Sequence, residues 1–156
     1  MTTTLTIRLH DEHCEFAIGE ATHVAPVGVL TLARSIGGDP PRPEDLTNAI
    51  GLVLDHLEDA TREVPDMALA ERVELSGPTV RVVADVEAGA TVALPFLLSR
   101  VGAEEVFRTL ATETRSDRVR NPGLTHDLVH DVLGITAAVV AVLRGLDLDD
   151  VWVVAP

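Results

Sequence analysis

Lysine is absent from this chain, so all twelve of its basic residues are arginine. That excludes a Schiff-base lysine and a P-loop lysine, the usual means of engaging a carbonyl substrate or a nucleotide phosphate. Tyrosine is absent too, and Trp152 is the single tryptophan, so there is no aromatic platform on which bases stack. The single cysteine, Cys14, cannot close an internal disulfide. Positive charge is scarce overall: 12 basic against 25 acidic residues give a net charge of −13. Nucleic-acid affinity rests on Lys and Arg, so this charge argues against a nucleic-acid partner, and none is expected. Free anionic polymers are disfavoured as well, unless a local basic pocket exists. The N-terminus has no basic flank followed by an apolar signal core. The most apolar stretch, Ile135 to Leu143, is too short to span a bilayer. These absences lead to the expectation of a cytoplasmic protein with no membrane partner.

What is present suits a globular domain. At 156 residues with 46% hydrophobic content, the chain is long enough to bury a proper core as one domain, residues 1–156. Leu5, Ile7 and Leu9 alternate with Thr4, Thr6 and Arg8, which predicts a half-buried strand. A turn falls near Asp11-Glu12, and Cys14, Phe16 and Ile18 then alternate as a second strand ending at Gly19. A short extended piece covers His23 to Val27, and a short helix covers Val29 to Ile36, stopped by Gly37-Gly38. Pro43 opens a helix running to about Arg62, with Glu44 and Asp45 in its first turn and Leu46, Ala49, Ile50, Val53, Leu54 and Leu57 at helical spacing.

Farther on, Arg72 to Leu75 reads as a strand, and Ser76-Gly77-Pro78-Thr79 as a turn. Val80 to Glu87 fits either a strand or a helix start, and Ala90 to Leu94 is ambiguous. Gly102 to Thr112 reads as a helix, and Asn121-Pro122-Gly123 as a turn. Thr125 is placed as the N-cap of the most apolar helix, which Gly145 ends. Val151 to Val154 is a continuous apolar run of the kind found in buried strands. Strands interleaved with helices in this order predict an α/β domain, a mixed sheet flanked by helices.

The first hairpin, Arg8-Leu9-His10-Asp11-Glu12-His13-Cys14-Glu15 with Gly19 beyond it, resembles the strand-turn-strand V-V-D-I-G-G-G-S-T-E-L-V-L-G. That motif opens the second half of the exopolyphosphatase/guanosine pentaphosphate phosphatase (Ppx/GppA) family. The likeness continues in order along the chain. Pro26-Val27-Gly28-Val29-Leu30-Thr31-Leu32 is similar to L-P-L-G-A-V-R-L, and Asp39-Pro40-Pro41 to D-P-P. Ser76-Gly77-Pro78-Thr79 stands where the family has G-G-T, and Arg118 to Leu124 resembles R-x-x-L-P-G-L. The resemblance implies a single actin-like (ribonuclease H-like) domain corresponding to the family's C-terminal half. The half that carries the family's water-activating acids is not matched.

Residue by residue, the phosphate-loop positions are degenerate. Arg8 replaces an Asp, His10, Asp11 and Glu12 replace three glycines, and His13 and Cys14 replace Ser and Thr. Glu15, Gly77 and Thr79 match, while Pro78 removes an N–H donor where the family has a second glycine. No catalytic residue carries over.

Other chemistry is weaker. His10 and His13 are three apart across a turn, and His126 and His130 are four apart at a helix start. These are the candidate positions for a divalent metal, with Asp11 and Cys14 beside the first pair and Asp127 and Asp131 beside the second, and a solvated loop or polar helix face is the ordinary reading of both. Cys14 lies on the apolar side of its strand and reads as structural rather than nucleophilic. No cofactor is expected.

The resemblance and its departures together imply a non-catalytic binding, regulatory or assembly module. It is expected to act as a homodimer, or with a partner protein over the face that the family's first half covers. Two alternatives stay open. One is a phosphatase for polyphosphate or guanosine pentaphosphate, a phosphoric anhydride hydrolase completed by a separate N-terminal-half chain. The other is a metal- or small-ligand-binding module using the His-rich hairpin.

Overall fold

A computed structural model describes residues 2–156. Its centre is one six-stranded mixed sheet in the order β3-β2-β1-β4-β6-β5. Strand β1 (Thr4–Leu9) pairs antiparallel with β2 (Cys14–Ile18), which pairs antiparallel with β3 (Ala21–Ala25). On its other side β1 pairs parallel with β4 (Arg72–Ser76), and β4 pairs parallel with β6 (Asp150–Val153). Strand β5 (Phe96–Ser99) closes that edge antiparallel to β6.

Register converts the alternation of the sequence into two faces. Ile7 stands opposite Phe16 and Leu9 opposite Cys14, so Leu5, Ile7, Leu9, Cys14, Phe16 and Ile18 all fall on the buried side. Arg8, Glu15, Arg72, Glu74 and Trp152 alternate with buried neighbours and are not themselves buried. There the Arg72 guanidinium lies 4.7 Å from the Trp152 ring centroid and donates to Glu74 at 2.9 Å.

The helices are α1 (Val29–Arg34), α2 (Pro43–Glu63), α3 (Arg81–Ala88), α4 (Arg100–Thr112), α5 (Arg115–Arg118) and α6 (Asp131–Gly145). Helix α6 is packed among α1, α2 and α4, and every residue from Val132 to Leu143 is buried. A helix apolar on all sides has to be enclosed in this way. It joins the inner sheet face in one continuous core.

Several expectations are refined. The ambiguous segment after Thr79 is the helix α3. Strand β5 lies where no strand was read, because Pro95 interrupts its short apolar run. The helix expected from Thr125 begins instead at Asp131, and His126–Leu128 forms a separate 3-10 turn. No helix among the described residues is long and apolar enough to cross a membrane.

Candidate functional site

The two turns singled out in the sequence meet at the carboxyl ends of the adjacent parallel strands β1 and β4. In open α/β sheets this is where ligands usually bind. Gly77 follows β4 with φ +154°, and a Cβ there would stand 2.2 Å from the Leu9 carbonyl oxygen. Only glycine permits that backbone conformation and approach together. Thr79 leads into α3, and its hydroxyl is buried without a hydrogen-bond partner.

The first hairpin is held from behind by α1. The turn closes with His10 N–H donating to His13 O at 2.9 Å. Val29 N–H donates to His10 O, and Leu30 N–H to Asp11 O, both at 3.0 Å. The first amides of α1, which have no partner within the helix, are thereby satisfied by the turn's carbonyls. Gly28 makes this contact possible, since a Cβ would lie 2.2 Å from Asp11 O.

The side chains of the turn divide into two charged groups. Glu12 is exposed and engages Arg34 at 2.8 Å, with Thr31 donating to it at 3.4 Å. The hydrogen bonds from Arg34 hold the Glu12 carboxyl below the usual carboxylate range. Glu15 is the hub of the other group. Its Oε1 lies 3.4 Å from His10 Nε2 and 3.2 Å from His13 Nε2, and its Oε2 lies 3.7 Å from Arg8. The two imidazoles stack, with centroids 4.5 Å apart and planes inclined by 23°. His13 Nε2 is hydrogen-bonded to Glu15. His10 Nε2 is buried and its approach to Glu15 does not form a hydrogen bond.

His10, His13 and Glu15 thus present three ligand atoms within 4.8 Å of one another, the one such cluster among the described residues. Glu15 was read only as a retained phosphate-loop position. The i, i+2 spacing of His13 and Glu15 at the start of a strand puts those two on the same side, whereas the approach of His10 to the same carboxylate comes from the turn. His126 and His130 are not brought together in this way. The helix begins too late to place them on one face, so His126 is exposed on the 3-10 turn. His130 Nε2 lies instead 2.9 Å from Ala33 O. Cys14 is sealed in the core with its thiol donating to Val27 O at 2.9 Å, and burial pushes its pKa up to about 12.

A scan against protein-family models and a search of curated proteins each find no match. Solved structures do match. The exopolyphosphatase-like protein superposes with a TM-score of 0.89 at 18% identity, covering 99% of this chain and 55% of that one. The Aquifex aeolicus PPX-GPPA enzyme gives 0.83 at 14% identity over 98% of this chain and 53% of that one. An exopolyphosphatase from Cytophaga hutchinsonii gives 0.72 at 17% identity over 99% and 53%. The chain spans about half the length of the solved structures it matches, and its mixed sheet flanked by helices is the α/β fold of half of an exopolyphosphatase or Ppx/GppA structure.

Proposed function

We propose that this chain is a non-catalytic binding module built on half of an exopolyphosphatase fold. The observation that carries this is the charge balance at the hairpin. Both arginines there are already paired, Arg34 with Glu12 at 2.8 Å and Arg8 with Glu15 at 3.7 Å, and Asp11 adds a third carboxylate. A phosphate dianion needs unpaired cations or convergent N–H donors. Pro78 supplies no N–H in the neighbouring turn. Titrating the untagged protein with orthophosphate, pyrophosphate and tripolyphosphate by calorimetry is expected to give no saturable heat. Incubation with polyphosphate is expected to release no phosphate. Micromolar binding, or release above background, would overturn the reading.

A second reading has one observation in its favour, the buried Thr79 hydroxyl without a partner. It is a phosphatase site for polyphosphate or guanosine pentaphosphate, completed by a separate polypeptide. Phosphate release that appears only on mixing with such a chain would support it.

The proposal includes a cytoplasmic location and a homodimer. The lone thiol forms no internal disulfide, which suits a reducing compartment. Strand β5 is a free sheet edge with Leu97 and nearby Val101 exposed to 46% and 74%, a surface suited to a second copy. Light scattering should return twice the chain mass, and a monomer at high concentration would remove the dimer from the proposal.

A further inference from the structure

We infer that the first hairpin is a three-ligand site for a borderline divalent cation, Zn2+ foremost, held by His10 Nε2, His13 Nε2 and Glu15 Oε1. The inference goes beyond the phosphate question and does not depend on its answer.

Two of the three edges of the cluster have the lengths a metal requires, and all three ligand atoms lie within 4.8 Å of one another. A tetrahedral cation with bonds of about 2.0–2.1 Å separates its ligand atoms by about 3.3–3.4 Å. The two edges that share Glu15 Oε1 measure 3.4 Å and 3.2 Å. Hydrogen bonding accounts for only one of them, since His10 Nε2 is buried and unpartnered. A buried polar atom without a partner calls for an explanation, and a cation seated among the three atoms provides one.

The ligand types select the metal. Two imidazoles and one carboxylate suit zinc and its neighbours, whereas Mg2+ and Ca2+ require oxygen-rich shells. Three protein ligands leave a fourth position for water or an anion.

The fold holds the donors in place before any ion arrives. His10 and His13 are tied to each other through the turn, and the carbonyls of His10 and Asp11 are tied to α1. Glu15 stands in β2 between Arg8 of β1 and Val24 of β3. Arg8 approaches the other carboxylate oxygen, Oε2, so it orients the ligand while leaving Oε1 to the cation. Outer partners of this kind are a regular feature of metal sites.

The test is calorimetry of untagged, chelator-treated protein with Zn2+ alone, together with the visible spectrum after Co2+ addition. One ion per chain and a tetrahedral Co2+ spectrum are expected. His10→Ala and the near-isosteric Glu15→Gln should each weaken Zn2+ binding at least about tenfold, with circular dichroism confirming that both fold. His126→Ala should leave binding unchanged. Absence of saturable Zn2+ binding would overturn the site, as would binding that survives Glu15→Gln or is lost in His126→Ala. Zn2+ binding without phosphate binding supports the site and leaves the proposed function standing. Phosphate binding without Zn2+ binding overturns both separately.

Discussion

Val29 N–H donates to the carbonyl of His10 at 3.0 Å, which makes the first hairpin and helix α1 one structural unit although the two residues stand 19 positions apart in sequence. The hairpin carries the candidate ligands, and α1 packs on the core helix α6. The geometry of the site is therefore anchored in the most buried part of the molecule.

Gly28→Ala tests that anchoring. The added methyl carbon would lie 2.2 Å from Asp11 O and 2.4 Å from Glu12 N. Both are backbone atoms, so the hairpin has to move away from α1. Forcing a carbon into such a contact costs about 1–3 kcal/mol. A urea midpoint lowered accordingly at constant m-value is expected. An unchanged midpoint would show that the junction yields freely.

Much of this fold was legible from local pattern alone. Strand β1, strand β2 and helix α2 were readable because half-burial imposes a period of two or 3.6 on residues such as Leu5-Ile7-Leu9 or Leu46-Ala49-Ile50-Val53. Strand β5 was not, because Pro95 and four residues of β5 carry no recognisable period and its identity comes from pairing with β6. The start of α6 was misplaced because Thr125 has the side chain of a good N-cap. The chain instead forms a 3-10 turn and begins the helix after His130, whose ring is directed to Ala33 O. At the site, the spacing of His10 and His13 was visible in sequence. The convergence of both on one oxygen of Glu15 depends on the turn geometry, which spacing does not encode.

The bidentate pair of Glu104 and Arg144 fastens α4 to α6, with both contacts at 2.7 Å. Hydrogen bonding from Arg144 lowers the pKa of Glu104 from its ordinary value of 4.5. A carboxyl depressed in the folded state stabilises above its unfolded pKa, and that contribution disappears as pH falls through the folded pKa. Glu104→Gln should therefore cost stability at pH 7, about 0.5–1 kcal/mol after allowance for solvent screening. The difference from the parent protein should shrink steadily as the pH drops below 4.5. Urea denaturation at several pH values reads both quantities. A difference that persists unchanged in acid would assign the effect to packing rather than charge.

Arg118 is buried to 2% exposure and donates to Val129 O at 2.8 Å and to Glu113 O at 3.2 Å. Burial lowers its pKa, and the two carbonyl contacts are what fix the guanidinium in place. Arg118→Ala leaves carbonyls without donors and opens a cavity between α5 and the start of α6, a loss of about 2–4 kcal/mol. Arg118→Lys should recover only part, since an ammonium does not reproduce the planar fork that reaches both carbonyls. Equal stabilities of the lysine variant and the parent protein would refute a geometric role.

Cys14 neighbours His13 in sequence, yet the two side chains serve opposite sides of the strand. The thiol is 2% exposed, its hydrogen goes to Val27 O at 2.9 Å, and burial pushes its pKa up to about 12. At pH 8 that leaves roughly one thiolate in ten thousand, and the thiolate is the reactive species. Reaction with a thiol reagent such as Ellman's should be negligible in the native protein and complete in guanidinium. Between those limits, labelling should follow the opening of the core. Gly28→Ala should then accelerate it by loosening α1, beneath which Val27 leads into the helix. Rapid labelling of the native protein would overturn the structural assignment of Cys14.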